Sequence, residues 1–198
     1  MDDFPLILAS GSPRRAQLLR EAGYPFEVIE PSESVEVEAS KTSPTIAAQP
    51  LVARLAFLKA QDVASRVDRG IVIACDTVAE CEGRILGKPT SRDDAREMLR
   101  LLRGKEHRVY SGLCLWRRPD DERRVQTEMT KLIMQPLSDA DLESYLNTGQ
   151  WEGKAGAFGY QDGLDWVHVL EGSESNVVGL PMELFAKLLE GLETVQPG

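Results

Sequence analysis

The sequence predicts an α/β fold, and three observations carry that prediction. Short apolar runs at residues 4–9 and 71–75 read as buried strands. Between them lies a stretch whose apolar residues recur at helical spacing: Leu51, Leu55 and Leu58 with Val52, Ala56 and Val63. Further on, residues 107–116 and 123–135 alternate in polarity around the turn Pro119-Asp120-Asp121, as in a long antiparallel hairpin. The chain has 198 residues, enough to bury a proper core. With no internal repeat and no long linker, residues 1–198 are read as one domain.

The first strand runs into Ser10-Gly11-Ser12-Pro13-Arg14-Arg15. Ser12 suits an N-cap and Pro13 the first helical position, where a missing N–H removes no bond. That helix should reach about Ala22, with Gly23 closing it. Arg14 and Arg15 stand in its first turn, where cations oppose the helix dipole. Free N–H groups and two guanidiniums at one helix start suit a phosphate. Two solvated surface arginines are the plainer alternative. Residues 26–30 read as a second strand, and residues 31–41 as an acidic loop carrying Glu33, Glu36 and Glu38. In the following helix, predicted to end near Arg66, Pro50 would break or kink any early start at Ser43-Pro44. Lys59 lies at the edge of the apolar stripe, either pointing into a cleft or snorkelling to solvent.

The strand over residues 71–75 is predicted to end at Asp76-Thr77. A carboxylate past the carboxyl end of a central strand is where α/β sheets place catalytic groups and metal ligands, although turns and caps use aspartate too. Residues 78–86 read as a hairpin turning at Glu82-Gly83. Gly87-Lys88-Pro89 then fixes a lysine on a restrained backbone. Ser91 should cap a helix with Asp93 and Asp94 in its first turn, buried through Ala95, Met98, Leu99 and Leu102 and ended by Gly104. Ser138 opens another, closed by Gly149. Four glycines in residues 153–163 demand close backbone approach or positive φ, which marks a ligand-facing loop. Residues 165–171 read as a strand and 172–176 as a turn, with Pro181 starting a last helix.

Composition sets bounds on function. The chain is 42% hydrophobic and 28% charged, as soluble globular proteins are. A net charge of -9 argues against broad attraction to nucleic acid or anionic membrane. Cys75, Cys81 and Cys114 fit neither a disulfide framework nor a zinc site, and the first and third are expected as buried thiols. The acidic start Met1-Asp2-Asp3 lacks the basic region of a signal peptide, and no apolar stretch approaches a membrane span. A cytoplasmic location is expected. No Walker loop or dinucleotide fingerprint is present. His107 and His168 lie within strands and read as structural. What remains is four cations, Arg14, Arg15, Lys59 and Lys88, with one strand-end carboxylate, Asp76, and an acidic loop. That set suits metal-assisted attack on a phosphate ester or anhydride, with Mg²⁺ or Mn²⁺ as the matching cation.

Several stretches together resemble the Maf family of nucleoside triphosphate pyrophosphatases. They are residues 8–15, Arg54-Leu55-Ala56 with Lys59-Ala60, Asp76-Thr77-Val78, Gly87-Lys88-Pro89, residues 154–161 and Val177-Val178-Gly179-Leu180-Pro181, in family order. The resemblance implies a mixed, twisted sheet with flanking helices, two lobes around a central cleft, similar to the inosine triphosphate pyrophosphatases, and a homodimer. It implies hydrolysis of a nucleoside triphosphate to the monophosphate and pyrophosphate. Asp76 falls on the family's proton acceptor and metal ligand, and Ser10, Arg14, Arg15, Lys59 and Lys88 on its phosphate-site positions. The second metal carboxylate falls on Glu36 with a one-residue insertion, or on Glu33 with a shortened loop. Arg15, Thr77 and Gln161 match the dTTP/UTP branch; counted from the motif, the first specificity position is Arg14. A glutamine amide offers a donor and an acceptor together, matching O4 and N3–H of uracil or thymine. Modified pyrimidine nucleotides are a further family-level expectation. The chain departs from the family at Cys75, at Ala79-Glu80-Cys81 and at Asp162, where glycine is common. A non-enzymatic nucleotide sensor of cell division is the alternative reading.

Overall fold

The structure, a computed structural model, describes residues 4–35, 46–163 and 165–193. Seven strands form one mixed sheet in the order β2-β1-β3-β5-β6-β7, with β4 also paired to β3. They are β1 (Leu6–Leu8), β2 (Phe26–Val28), β3 (Gly70–Cys81), β4 (Arg84–Leu86), β5 (Glu106–Arg118), β6 (Arg123–Met134) and β7 (Val167–Glu171). β1 runs parallel to β2 and β3, and every other pairing is antiparallel. The helices are α1 (Pro13–Glu21), α2 (Ala48–Ala64), α3 (Arg92–Leu102), α4 (Asp139–Asn147), α5 (Glu174–Val178) and α6 (Met182–Glu193). The mixed α/β sheet with flanking helices is as predicted.

Local chemistry explains most boundaries. Glu82 (φ 51°) and Gly83 (φ 79°) both have the positive φ that a two-residue hairpin turn requires. Ser91 accepts from the Asp94 N–H at 3.1 Å, and Ser138 forms a capping box with Asp141. Pro50 sits in the first turn of α2, where no N–H has an intrahelical partner, so the helix passes it unbroken. Residues 172–176, expected as a plain turn, instead lead into α5, which takes up Asn176 and the two valines. Asn176 is fully buried and donates to Val109 O and Thr130 Oγ1, and these bonds draw the short helix onto the sheet.

β3 is the element that positions everything else. Its alternation sends Val72 and Ala74 into a cluster with Ala56 and Ala60 of α2. Ile71, Ile73 and Cys75 go to the opposite face, with α1 and α6. Phe185 of α6 is fully buried there, edge-on to Tyr24 at 5.0 Å between centroids. Burying such a side chain stabilises by about 1.5–3 kcal/mol. Further along, Ala79 and Cys81 enter a separate cluster with α3 and α4. β5 pairs with β3 from Gly70 to Glu80 along one edge. The other edge is shared: β1 covers residues 71–73 and β4 covers 79–81. Between them that edge is open. Gly112 sits opposite Asp76, and a Cβ there would run into the α2 backbone at Val52 and Ala53, so only glycine lets α2 lie so close. Among the described residues no helix is long and apolar enough to cross a membrane.

Candidate active site

The sequence reading ends the central strand at Asp76. The structure instead carries β3 on through Asp76 and Thr77 to Cys81, because β5 pairs with it throughout. Asp76 is nevertheless exposed to chemistry, since it stands in the opening between β1 and β4. A cleft of about 430 Å³ lies there, within the range of small-molecule sites. It is lined by Ser10, Arg14, Arg15, Lys59, Asp76, Thr77, Lys88 and Gln161. Every described residue singled out as a site residue therefore faces one cavity. Glu36 lies outside the described residues; Glu33 is exposed and is not among the lining residues.

Strand alternation divides the work. Asp76 continues the α2-facing side of β3, where Lys59 Nζ donates to its Oδ1 at 2.8 Å. Lys59 is only 5% exposed, so the stripe-edge lysine does point into the cleft. Its ammonium is held in place by the carboxylate it pairs with. Thr77 continues the other side and meets Arg15. The Arg15 guanidinium donates through Nε to Gly179 O at 2.8 Å, and through its terminal nitrogens to Ser10 Oγ at 3.1 Å and Thr77 Oγ1 at 3.3 Å. Thr77 Oγ1 is also 2.8 Å from Ser111 Oγ, its cross-strand neighbour, which is fully buried. Gly179 has φ 124°, a conformation that presents its carbonyl to this cluster and that side chains rarely adopt. The Cys75 thiol donates to the same carbonyl at 3.2 Å, and burial raises its pKa, keeping it protonated.

Arg14 is held differently. Among the described residues it makes one hydrogen bond, to Gly153 O at 3.1 Å. Burial first, and then the neighbouring charge of Arg15, lower its pKa. Two adjacent guanidiniums with little between them attract a polyanion. The opposite wall is the glycine-rich segment, folded as two single 3₁₀ turns, Ala155–Ala157 and Tyr160–Asp162. Gly153, Gly156 and Gly163 have positive φ near 70°. Gly159 does not; a Cβ there would meet the ends of the Asp162 and Lys154 side chains, which lie over its backbone. Those two side chains form an ion pair, with 17% and 12% exposure. Sequence reasoning assigned no role to Ser111, to Lys154 or to Glu30, which also lines the cleft. Only Asp162 carried a signal, as a departure from the family pattern.

Among the described residues no three His, Cys, Asp or Glu side chains cluster as a metal cage. Mg²⁺ is commonly held by one or two carboxylates, with water and substrate phosphates completing its shell. Asp76, a cleft carboxylate among phosphate-seeking cations, fits that mode.

The family model described as Maf-like protein matches residues 5–192. A dTTP/UTP pyrophosphatase of Rhodopirellula baltica is 56% identical over 191 residues, covering 95% of this chain and 82% of the relative. One of Dictyoglomus thermophilum is 40% identical, covering 94% and 95%. A third relative of that description, from Nitratidesulfovibrio vulgaris, is 43% identical over 93% of this chain and 87% of its own length.

Proposed function

The chain belongs to the Maf family, and from that premise we propose that it hydrolyses nucleoside triphosphates, dTTP and UTP foremost, to the monophosphate and pyrophosphate. The observation that carries this reading is the Lys59–Asp76 pair set in the opening of β3 and sharing one cleft with Arg14, Arg15 and Lys88. Relatives bearing the name dTTP/UTP pyrophosphatase across nearly their whole length support an enzyme over a sensor.

The mechanism follows from the chain's own groups. Asp76 accepts the proton of the attacking water, whose oxygen bonds to phosphorus as the bridge between the α- and β-phosphates breaks. Lys59 occupies one carboxylate oxygen and fixes the orientation of the other. Arg14, Arg15 and Lys88 balance the charge that collects on the phosphoryl oxygens and on departing pyrophosphate. Ser10 stands at the start of α1, where N–H groups favour an anion. A divalent cation, Mg²⁺ or Mn²⁺, would be held by Asp76, with Glu36 as the second carboxylate, and would add further neutralisation at phosphate. Gln161 reads the base edge, while Thr77 keeps Arg15 in register.

Modified pyrimidine triphosphates are further substrates in this reading, and the protein works as a cytoplasmic homodimer without nucleic-acid or membrane partners. The deciding experiment is a panel of standard and modified triphosphates with either cation, scored for pyrophosphate and monophosphate. Pyrophosphate from dTTP and UTP but little from ATP or GTP is expected. Orthophosphate as first product would overturn the reaction, and equal turnover of all bases would remove the base pocket. Sedimentation of the pure protein tests the dimer.

A further inference from the structure

Gln161 poses a positional problem. Its side chain is exposed, and among the described residues its amide has no hydrogen-bond partner. Tyr160 and Gln161 line both the cleft and a second, more open hollow that adjoins it, so their segment borders open space in two places. Packing reaches it through the Tyr160 ring, which lies against the core cluster under α3 and α4. Polar anchors on its two sequence neighbours add to that packing. Tyr160 donates its hydroxyl to Glu174 Oε1 at 2.9 Å, anchoring one side to α5. Asp162 pairs with Lys154 across the Gly159 backbone, anchoring the other. The exposed glutamine is thus bracketed by two anchored residues.

We propose that Lys154 and Asp162, assisted by Tyr160 and Glu174, are positioning residues that fix Gln161 and so set the enzyme's discrimination among bases. The inference rests on the reading of Gln161 as the base contact. The two side chains are engaged with each other, while Lys59 is engaged with Asp76; the charge of Asp162 also acts on Arg14, an effect common to every triphosphate. Its contribution is to orientation: a glutamine held still presents donor and acceptor together, whereas a loose one must be ordered on each binding event. The cognate base loses that advantage when the clamp is broken. A purine had none to lose.

The test is steady-state pyrophosphate release from dTTP and dATP by the full-length protein and its variants, alongside thermal melting. For Asp162→Asn the dTTP-to-dATP ratio of kcat/KM should fall about tenfold through the KM for dTTP, because an effect on Arg14 is shared by both nucleotides and leaves the ratio alone. Lys154→Gln should do the same, and the double variant should add nothing further, as expected of partners in one interaction. Asp162→Glu keeps the charge and should restore most of the discrimination. Tyr160→Phe, which leaves the ion pair intact, should lower the dTTP preference about threefold. It also decides the matter if Asp162→Asn fails to fold. An unchanged dTTP-to-dATP ratio in these variants, with a wild-type enzyme that prefers dTTP, would overturn the inference. A wild type releasing pyrophosphate from neither nucleotide would instead overturn the proposed function.

Discussion

The two walls of the cleft are built on different principles. One wall is sheet and helix: Asp76 and Thr77 on β3, Lys59 on α2, Arg15 on α1. Each of these polar groups is bonded to another of them or to a fixed backbone carbonyl. The other wall is two 3₁₀ turns threaded with glycine, and Gln161 on it stands without a hydrogen-bond partner among the described residues. Groups that act on the phosphates need positions fixed to a fraction of an ångström, which a regular scaffold supplies. Groups that choose among bases sit where insertions and exchanges are tolerated. Catalysis is expected to rest on the first wall, with the direct reading of the base left to Gln161 on the second and supported by Arg15 and Thr77 on the first.

The largest break in that pattern comes from Asp76→Asn. The amide cannot take a proton from water, so kcat should fall by about 10³-fold or more with every base. Asparagine Oδ1 still accepts from Lys59, so the fold should survive with a modest loss of melting temperature. Retention of near-full turnover by a folded Asp76→Asn protein would move the proton acceptor elsewhere and dissolve the contrast between the walls.

How far this division is visible in the sequence depends on how local each signal is. The Ser12-Pro13 helix start, the Glu82-Gly83 turn and the Ser91 and Ser138 caps all came through, because each is decided by neighbours within four residues. The opening in β3 did not. It exists because β1 and β4, far apart in sequence, cover opposite ends of the same edge of one strand. Sequence pattern sees only that residues after Cys75 turn more polar, and reads a strand end. Lys59 was legible as a stripe-edge residue, but its direction was fixed only when Gly112 let α2 settle onto the sheet. Ser111 gave no signal, since a serine in an alternating strand looks like any other until cross-strand register sets it against Thr77.

Arg15→Lys sharpens the comparison within a single helix turn. The guanidinium fork reaches three acceptors on three segments, and an ammonium on a shorter, non-planar head cannot reproduce that geometry. Losing two partly buried bonds should lower kcat/KM by about 10–100-fold. Arg14→Lys next door loses one bond to Gly153 O and keeps its charge, so a drop of about threefold or less is expected. Parallel kinetics on the two variants check this. Equal effects would mean that both arginines act simply as charges, and that the first wall is less fixed than its hydrogen bonds indicate.

The smallest effect lies beneath the second wall and is read from stability rather than rate. His107 is 2% exposed, its ring edge-on to Phe158 of the glycine-rich segment at 5.4 Å. Its Nδ1 is 3.4 Å from Lys105 O, while Nε2 is buried without a partner. Burial pushes its pKa from 6.5 down to about 4. The sign follows directly. Between those values the unfolded chain binds a proton that the folded chain refuses, so stability is complete above 6.5 and is lost as pH falls toward 4. From pH 7 to 5.5 the loss should be about 1 kcal/mol. In His107→Phe, which keeps an aromatic ring against Phe158, that part of the slope should vanish while turnover at neutral pH stays near wild type. Melting curves of both proteins across this interval test it. A slope unchanged by the substitution would mean that His107 does not set the pH dependence in this interval; carboxylates such as Asp62, whose pKa is lowered by its bonds to Ser32 and Arg66 despite the opposing effect of burial, titrate below it. The support under the base-reading wall would then be insensitive to protons.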